Sequence, residues 1–265
     1  MTVNLAAELA ARGAAVGIID ADIYGFSVPM MLGMVDEAGR APRLVREGTR
    51  IVPPSAHGVR VISASMLVRD SETAVSWRGP MLQKALRQFV TETDFGALDF
   101  LFVDMPPGTG DVAMAISSLL VDAEVLVVTT PQPVATEVAI RSAQLPMQMR
   151  QTLIGVVENM SSGGGSTGEE TDELFGSGGG RRIAERLTGL SSVEVPLLAS
   201  IPLSLELRRC GDRGMPIVIA DPSNEASLAY ASLADAILDR PRALAGRRLP
   251  LMDVSNTQAT GALRE

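Results

Sequence analysis

The stretch Val16–Gly25, VGIIDADIYG, is an apolar run that ends in two carboxylates, Asp20 and Asp22, one alanine apart. A second apolar run, LDFLFVDMPPGTGD, ends in Asp104 and leads into a Pro-Pro pair and two glycines, Gly108 and Gly110. A strand-end carboxylate holds Mg²⁺ directly or through water, and it orients or deprotonates a water molecule. Neighbouring carboxylates repel unless a cation or hydrogen-bond donors lie between them. If the first strand continues through Asp22, alternation points Asp20 and Asp22 the same way. A magnesium-nucleotide site accounts for that pair economically. In phosphoryl transfer the protein mostly positions groups and neutralises charge. Gly108 and Gly110 would let backbone N–H groups approach a terminal phosphate or its attacking water.

The elements that must position these acids follow from periodicity. Thr2–Arg12 reads as a helix stopped by Gly13. Val16–Ile19 reads as a short buried strand, GVRVISAS as a second, and Phe100 to Asp104 as the end of a third. AEVLVVTTP and TLIGVVENM are further buried strands, and VPLLASIP and MPIVIA are late ones. Helices are expected over Pro80–Val90, MAISSLL, Glu137–Leu145, the start of GGGRRIAERL and Asn224–Leu238. Buried strands alternating with helices give an α/β, doubly wound, mostly parallel sheet with right-handed crossovers. Such sheets bind ligands beyond the carboxyl ends of their strands. That places Asp20, Asp22, Asp104, Thr129 and Asn159 on one rim. Acids also end strands for no chemical reason, but here several strands share the pattern.

Composition narrows the class. The 265 residues are long enough for a sizeable core, and a formal net charge of −8 disfavours a nonspecific nucleic-acid surface. The single cysteine, Cys210, excludes an internal disulfide, and the single histidine, His57, excludes a multi-histidine metal site. No apolar run is long enough to span a membrane and the first residues do not read as a signal peptide, so a cytoplasmic protein is the expectation. Ser161–Gly180 reads as a low-complexity Gly/Ser/acid linker. The domain is expected over residues 1–240, with a flexible tail over 241–265.

Several residues have a plain reading beside a functional one. Cys210 is read as core, and His57 as a loop residue without metal partners. Arg181 and Arg182 are read as a solvated face, at the disfavoured end of their helix for a cation. Met30, Met31 and Met34 are read as core filling rather than an adaptable surface. Trp77, in the segment WRGPM, is either an aromatic that starts a helix or part of a partner surface.

One ingredient of a phosphate site is missing: no G-x-x-x-x-G-K-[ST] occurs in the chain. The motifs that do occur are IIDADIYGFSVPMMLG, FVDMPPGTGDVAM, TTPQPVA, GVVENMS and FGSGGG, in that order over Met1–Leu238. With them the chain resembles the Mrp/NBP35 (ApbC-like) family of deviant P-loop ATPases, within the MinD/ParA-like group. The resemblance implies a homodimer that binds and slowly hydrolyses ATP with Mg²⁺ and carries a [4Fe–4S] cluster to client apoproteins in the cytoplasm. It implies catalytic roles for Asp22 and Asp104 and metal roles for Asp20 and Asp104. It places Pro107, Gly108 and Gly110 in the switch turn. Asn159 falls at the adenine edge, with Pro202 among the nucleotide contacts.

Three departures qualify it. The family's first strand and lysine-bearing phosphate loop have no counterpart ahead of TVNLAAELA, so an open edge is expected where that central strand belongs, and weak turnover. The C-x-x-C after NMS is absent, and Cys210 is not at the family's position; four thiolates are usual for such a cluster. Phe26 stands where proline is common and Ser204 where aspartate is common. The expected function is an ATP-binding iron–sulfur cluster carrier or assembly protein. A MinD/ParA-type ATPase without a cluster and a nucleotide-free scaffold are the alternatives.

Overall fold

The computed structural model describes residues 1–23, 25–67, 79–162, 176–191 and 193–240. Trp77 and the tail over 241–265 lie outside the described residues. The chain begins with α1 (Thr2–Ala11), β1 (Val16–Asp20), α2 (Val28–Met31) and the hairpin strands β2 (Val45–Glu47) and β3 (Arg50–Val52). Then follow β4 (Ser55–Ala56), β5 (Val59–Ser63), α3 (Gly79–Thr91), β6 (Phe100–Asp104) and α4 (Asp111–Leu119). The second half contains β7 (Glu124–Thr129), α5 (Pro133–Gln148), β8 (Thr152–Ser161), α6 (Gly179–Ser191) and β9 (Leu197–Pro202). It closes with α7 (Leu205–Asp212), α8 (Ile217–Ala220) and α9 (Glu225–Leu238). The fold is α/β with parallel pairing throughout its main strands.

β1 is the central strand of the first half. It pairs in parallel with β5 on one side and β6 on the other, and all five of its residues are buried. A strand flanked on both edges and covered on both faces must be apolar throughout, which is why VGII reads as it does. The half-sheet order is β4-β5-β1-β6, with β4 joined antiparallel through the two-residue turn His57–Gly58. Both turn residues have positive φ, 50° and 78°, the conformation that two-residue hairpins require. His57 is therefore a turn residue. The second half-sheet is β7-β8-β9.

The two half-sheets are not paired with each other among the described residues. One shared core covers them on one side: Val3, Leu5 and Leu9 of α1 and Tyr230 and Leu233 of α9 pack with Ile18 of β1, Val157 of β8 and Ile201 of β9. On the other side the cores are separate. Ile19, Ile62, Leu86, Phe89 and Ile116 form one, and Val127, Ile140, Val156, Ile183 and Leu187 form the other. This corrects the reading of FLFVD and AEVLVVTTP as fully buried strands. Leu101 of β6 is 36% exposed and Val128 of β7 is 42% exposed, because each strand has a neighbour on one edge only among the described residues.

Four other expectations change. MPIVIA is not a strand: Pro216 caps a single helical turn, with the Ala220 N–H donating to the Pro216 carbonyl at 3.0 Å, and Ile217 and Val218 enter the shared core. A short apolar run does not by itself distinguish strand from helix. α5 is longer than Glu137–Leu145, beginning at Pro133, where a missing N–H costs nothing. The Ser161–Gly180 stretch is not a linker at its ends, since β8 runs through Ser161 and α6 begins at buried Gly179. Met30 is 51% exposed, whereas Met31 and Met34 pack against the shared core. Cys210 is buried as expected, and Arg181 and Arg182 are exposed.

Candidate active site

The register of β1 against β6 sets Asp20 directly opposite Asp104 at the carboxyl ends of two adjacent strands. Asp20 is fully buried. Its Oδ2 accepts from the Ser63 hydroxyl at 2.9 Å, from the matching end of β5, and its Oδ1 has no hydrogen-bond partner. Burial is the main reason that its pKa rises to about 7. The Ser63 hydrogen bond opposes the rise, and Asp104 adds to it. The N–H groups of Val28 and Asp22 draw it back slightly without reaching hydrogen-bond geometry at Oδ1. Asp104 is only partly buried and accepts from the Thr2 hydroxyl at the start of α1. Burial lowers the pKa of the Met1 amine, and Asp104 opposes that fall.

A buried carboxylate oxygen with no partner is costly. A divalent cation relieves it. Mg²⁺ is usually held by one or two carboxylates, with waters and substrate phosphates filling the remaining positions, so the Asp20–Asp104 pair fits that ion. No group of three or more His, Cys, Asp or Glu residues among the described residues is placed to hold a metal by protein ligands alone. A thiolate-bound cluster does not fit: Cys210 is the chain's only cysteine and sits in the core beside Glu206 of α7, its thiol raised in pKa by burial and then by Glu206.

Asp22 does not point with Asp20. β1 ends at Asp20, so the alternation that would have aligned them stops. The Asp22 Oδ1 accepts from the Gly25 N–H at 3.0 Å and closes its own turn beside the rim. A Cβ on Gly25 would lie 2.8 Å from Asp22 Oδ2, so a larger residue there would displace the Asp22 carboxylate. Pro107–Gly110 form an irregular bend between β6 and α4, with Gly108 at φ 92° and Gly110 as the α4 N-cap. The α4 N-terminus, whose first N–H groups have no side-chain cap, follows the carboxyl end of β6 through this bend. Thr129 and Pro202 end β7 and β9, and Asn159 lies just before the end of β8; Thr129 pairs with Glu158 and Asn159 with Ile201. The rim is therefore in two parts, with Asp20, Asp22 and Asp104 on one and Thr129, Asn159 and Pro202 on the other. A hollow of about 590 Å³ beside the β2–β3 hairpin, lined by Arg46, Arg50 and Glu92, contains none of these residues. Its Arg46 is paired with Glu92.

One residue inside the motif GVVENMS, with no role expected from the sequence, holds the second part together. Glu158 is 2% exposed. It accepts from the Ser161 hydroxyl at 2.7 Å and from the Gly178 and Gly180 N–H groups at 3.3 and 2.6 Å. One carboxylate thus fixes the end of β8 and the start of α6. Gly180 is needed for this approach, since a Cβ there would lie 2.8 Å from the Glu158 Cβ. The signal in the sequence is a charge inside the apolar run GVVENMS. Ser204, which stands where aspartate is common, is the N-cap of α7, accepting from the Leu207 N–H at 3.2 Å.

Comparison with known proteins places this geometry. The model described as ParA: NUBPL iron-transfer P-loop NTPase matches residues 1–238. This chain belongs to that family. A protein of Mycobacterium bovis named iron-sulfur cluster carrier protein is 46% identical over 251 residues, covering 95% of this chain and 64% of the relative. One of the same name from Salmonella typhimurium is 40% identical over 235 residues, covering 89% and 61%. The chain thus spans just under two thirds of the length of these relatives. The fold matches the nucleotide-binding protein of Archaeoglobus fulgidus, solved in complex with ADP, at a TM-score of 0.64 and 24% identity, over 85% of this chain and 83% of that one. It also matches the septum site-determining protein MinD of Pyrococcus horikoshii, solved with Mg-ADP, at 0.60 and 21% identity, over 92% and 90%. No helix among the described residues is long and apolar enough to cross a membrane.

Two outcomes follow. Folded Asp20 keeps its proton up to about pH 7, whereas an unfolded aspartate loses it near 4. Its contribution to stability is therefore greatest below about pH 4 and is lost as pH rises through 7. Without divalent cations, Asp20→Asn is expected to flatten that dependence and to exceed the parent at pH 8 by roughly 1–4 kcal/mol, measured by urea unfolding at pH 5 and 8. Glu158→Ala strands two N–H groups and a hydroxyl, and is expected to cost roughly 2–4 kcal/mol by the same method. A loss below about 0.5 kcal/mol would contradict the clamp.

Proposed function

We propose that this chain is the nucleotide-binding core of an iron–sulfur cluster carrier that binds ATP with Mg²⁺ and hydrolyses it slowly. The observation that carries this reading is the buried, unpartnered Asp20 Oδ1 opposite Asp104 at the carboxyl edge of the central strands. Mg²⁺ supplies charge neutralisation for the phosphates when bound. Asp20 and Asp104 hold it, and Asp104 and Asp22 orient the attacking water. The α4 N–H groups and the Pro107–Gly110 bend receive the terminal phosphate, since a helix N-terminus favours an anion. Asn159 meets the adenine edge and Pro202 lines the nucleotide.

The cluster is cargo. The family membership and the names of the Mycobacterium and Salmonella relatives support cluster delivery to client apoproteins. One core cysteine per chain does not make a four-thiolate site, so Cys210 is not assigned to the cluster. The reading includes a homodimer working in the cytoplasm. A second reading, a MinD/ParA-type ATPase that positions a partner protein, is favoured by the absence of a C-x-x-C pair in this chain.

Calorimetric titration with MgADP tests the nucleotide reading. Binding is expected to need the divalent cation and to weaken at least tenfold in Asp104→Ala, with MgATP turnover slow or undetectable. Cation-independent binding that Asp104→Ala leaves unchanged would contradict it. Iron and sulfide assays after anaerobic reconstitution separate the readings: a cluster at well below one per dimer favours the partner-positioning ATPase.

A further inference from the structure

The register that sets Asp104 beside Asp20 on one edge of β1 sets Ser63 beside it on the other. Ser63 is the last residue of β5 and is fully buried. It belongs to none of the motifs in the sequence; the strand alone carries it to the rim. Its hydroxyl has one proton to donate, and that proton goes to Asp20 Oδ2 at 2.9 Å. A hydroxyl also accepts two hydrogen bonds. Both come from Ser65, through its N–H at 3.2 Å and its hydroxyl at 2.9 Å. The 3₁₀ turn over Ala64–Leu67, directly after β5, brings Ser65 back to Ser63.

With both acceptor places filled, the Ser63 proton has one direction left, toward Asp20. One oxygen of Asp20 is therefore held, and the other, Oδ1, is buried with no partner. Serine is neutral, so this leaves the charge of the acidic pair as it is. What it sets is how many oxygens Asp20 can offer. A carboxylate binds a metal ion through one oxygen or through both. Ca²⁺ takes about six to eight oxygens in a flexible shell and accepts both oxygens of one carboxylate. Mg²⁺ is smaller and demands near-octahedral geometry, which two oxygens on one carbon fit poorly. A carboxylate with one oxygen engaged by a buried donor suits Mg²⁺ and handicaps Ca²⁺.

We infer that Ser63 is a positioning residue that selects Mg²⁺ over Ca²⁺ at the Asp20–Asp104 pair, by holding Asp20 to coordination through Oδ1 alone. Ser65 fixes the Ser63 hydroxyl in that role. The role rests on the cation reading of the pair proposed above.

The test titrates Mg²⁺ and Ca²⁺ separately into the metal-free full chain and reads binding at the Asp20 carboxyl ¹³C resonance. The parent is expected to bind Mg²⁺ the more tightly. Ser63→Ala frees Oδ2, and the preference, taken as the ratio of the two Kd values, is expected to fall at least tenfold, since a hydrogen bond to a charged group is worth about that factor. Ser63→Thr keeps the hydroxyl and is expected to keep the preference. Ser65→Ala leaves Ser63 free to turn and is expected to lower the preference by a smaller factor. Ser65 is only half-buried, so that variant reports even where Ser63→Ala does not fold. A ratio within about twofold of the parent in Ser63→Ala would overturn the role, even if both affinities fall together, because Ser63 would then be structural only. So would a parent that prefers Ca²⁺, or an equal loss of preference in Ser63→Thr, which would trace the effect to packing. A parent that answers neither ion would contradict the cation reading itself, and the role falls with it.

Discussion

Everything at the rim depends on one register: Asp20 of β1 stands level with Asp104 of β6. A slip of β1 by one residue would turn Asp20 to the opposite face, away from Asp104 and from Ser63. The register is held by burial of β1 between two parallel neighbours. Ile18 packs into the shared core and Ile19 into a separate one, so neither face tolerates the other's side chains. The energy that fixes this alignment is apolar. What it positions is a carboxylate that apolar burial penalises. The raised pKa of Asp20 and its unpartnered oxygen are two expressions of that cost, and a bound cation is the natural means of relieving it.

The second part of the rim is organised differently. There a buried carboxylate is fully used rather than left open. Glu158 gathers Ser161, Gly178 and Gly180, and so ties the end of β8 to the start of α6. The contrast between Asp20 and Glu158 separates roles that look alike in sequence. Both are acids at the end of an apolar run and both are buried. One is satisfied by its own chain and holds structure; the other has an oxygen to spare and suits a ligand.

Much of this architecture is legible in the amino-acid sequence. Strong apolar runs bounded by glycine or by acids mark β1, β6 and β8, and the long amphipathic stretches mark α1, α3 and α9. Strand-end logic puts Asp20 and Asp104 together, because alternation and burial act locally. The exceptions have non-local causes. MPIVIA becomes a helical turn because Pro216 and the core on either side decide the matter, not the composition of the run. Asp22 leaves the strand because its carboxylate closes a turn on Gly25. β6 and β7 read as interior strands, and their exposure follows from each pairing on one edge only among the described residues rather than from their own side chains. Glu158 shows locally only as a charge inside an apolar run, because its partners lie as much as 22 residues away.

The central claim is that Asp20 is a buried carboxylate waiting for a cation beside Asp104. The most direct measurement is the carboxyl ¹³C titration of Asp20 in the full chain, with and without Mg²⁺. The account predicts a midpoint near 7 in the metal-free protein, falling by more than about one unit when Mg²⁺ is added, and no such response in Asp104→Ala. A midpoint near 4 without metal, or one near 7 that Mg²⁺ does not move, would contradict it.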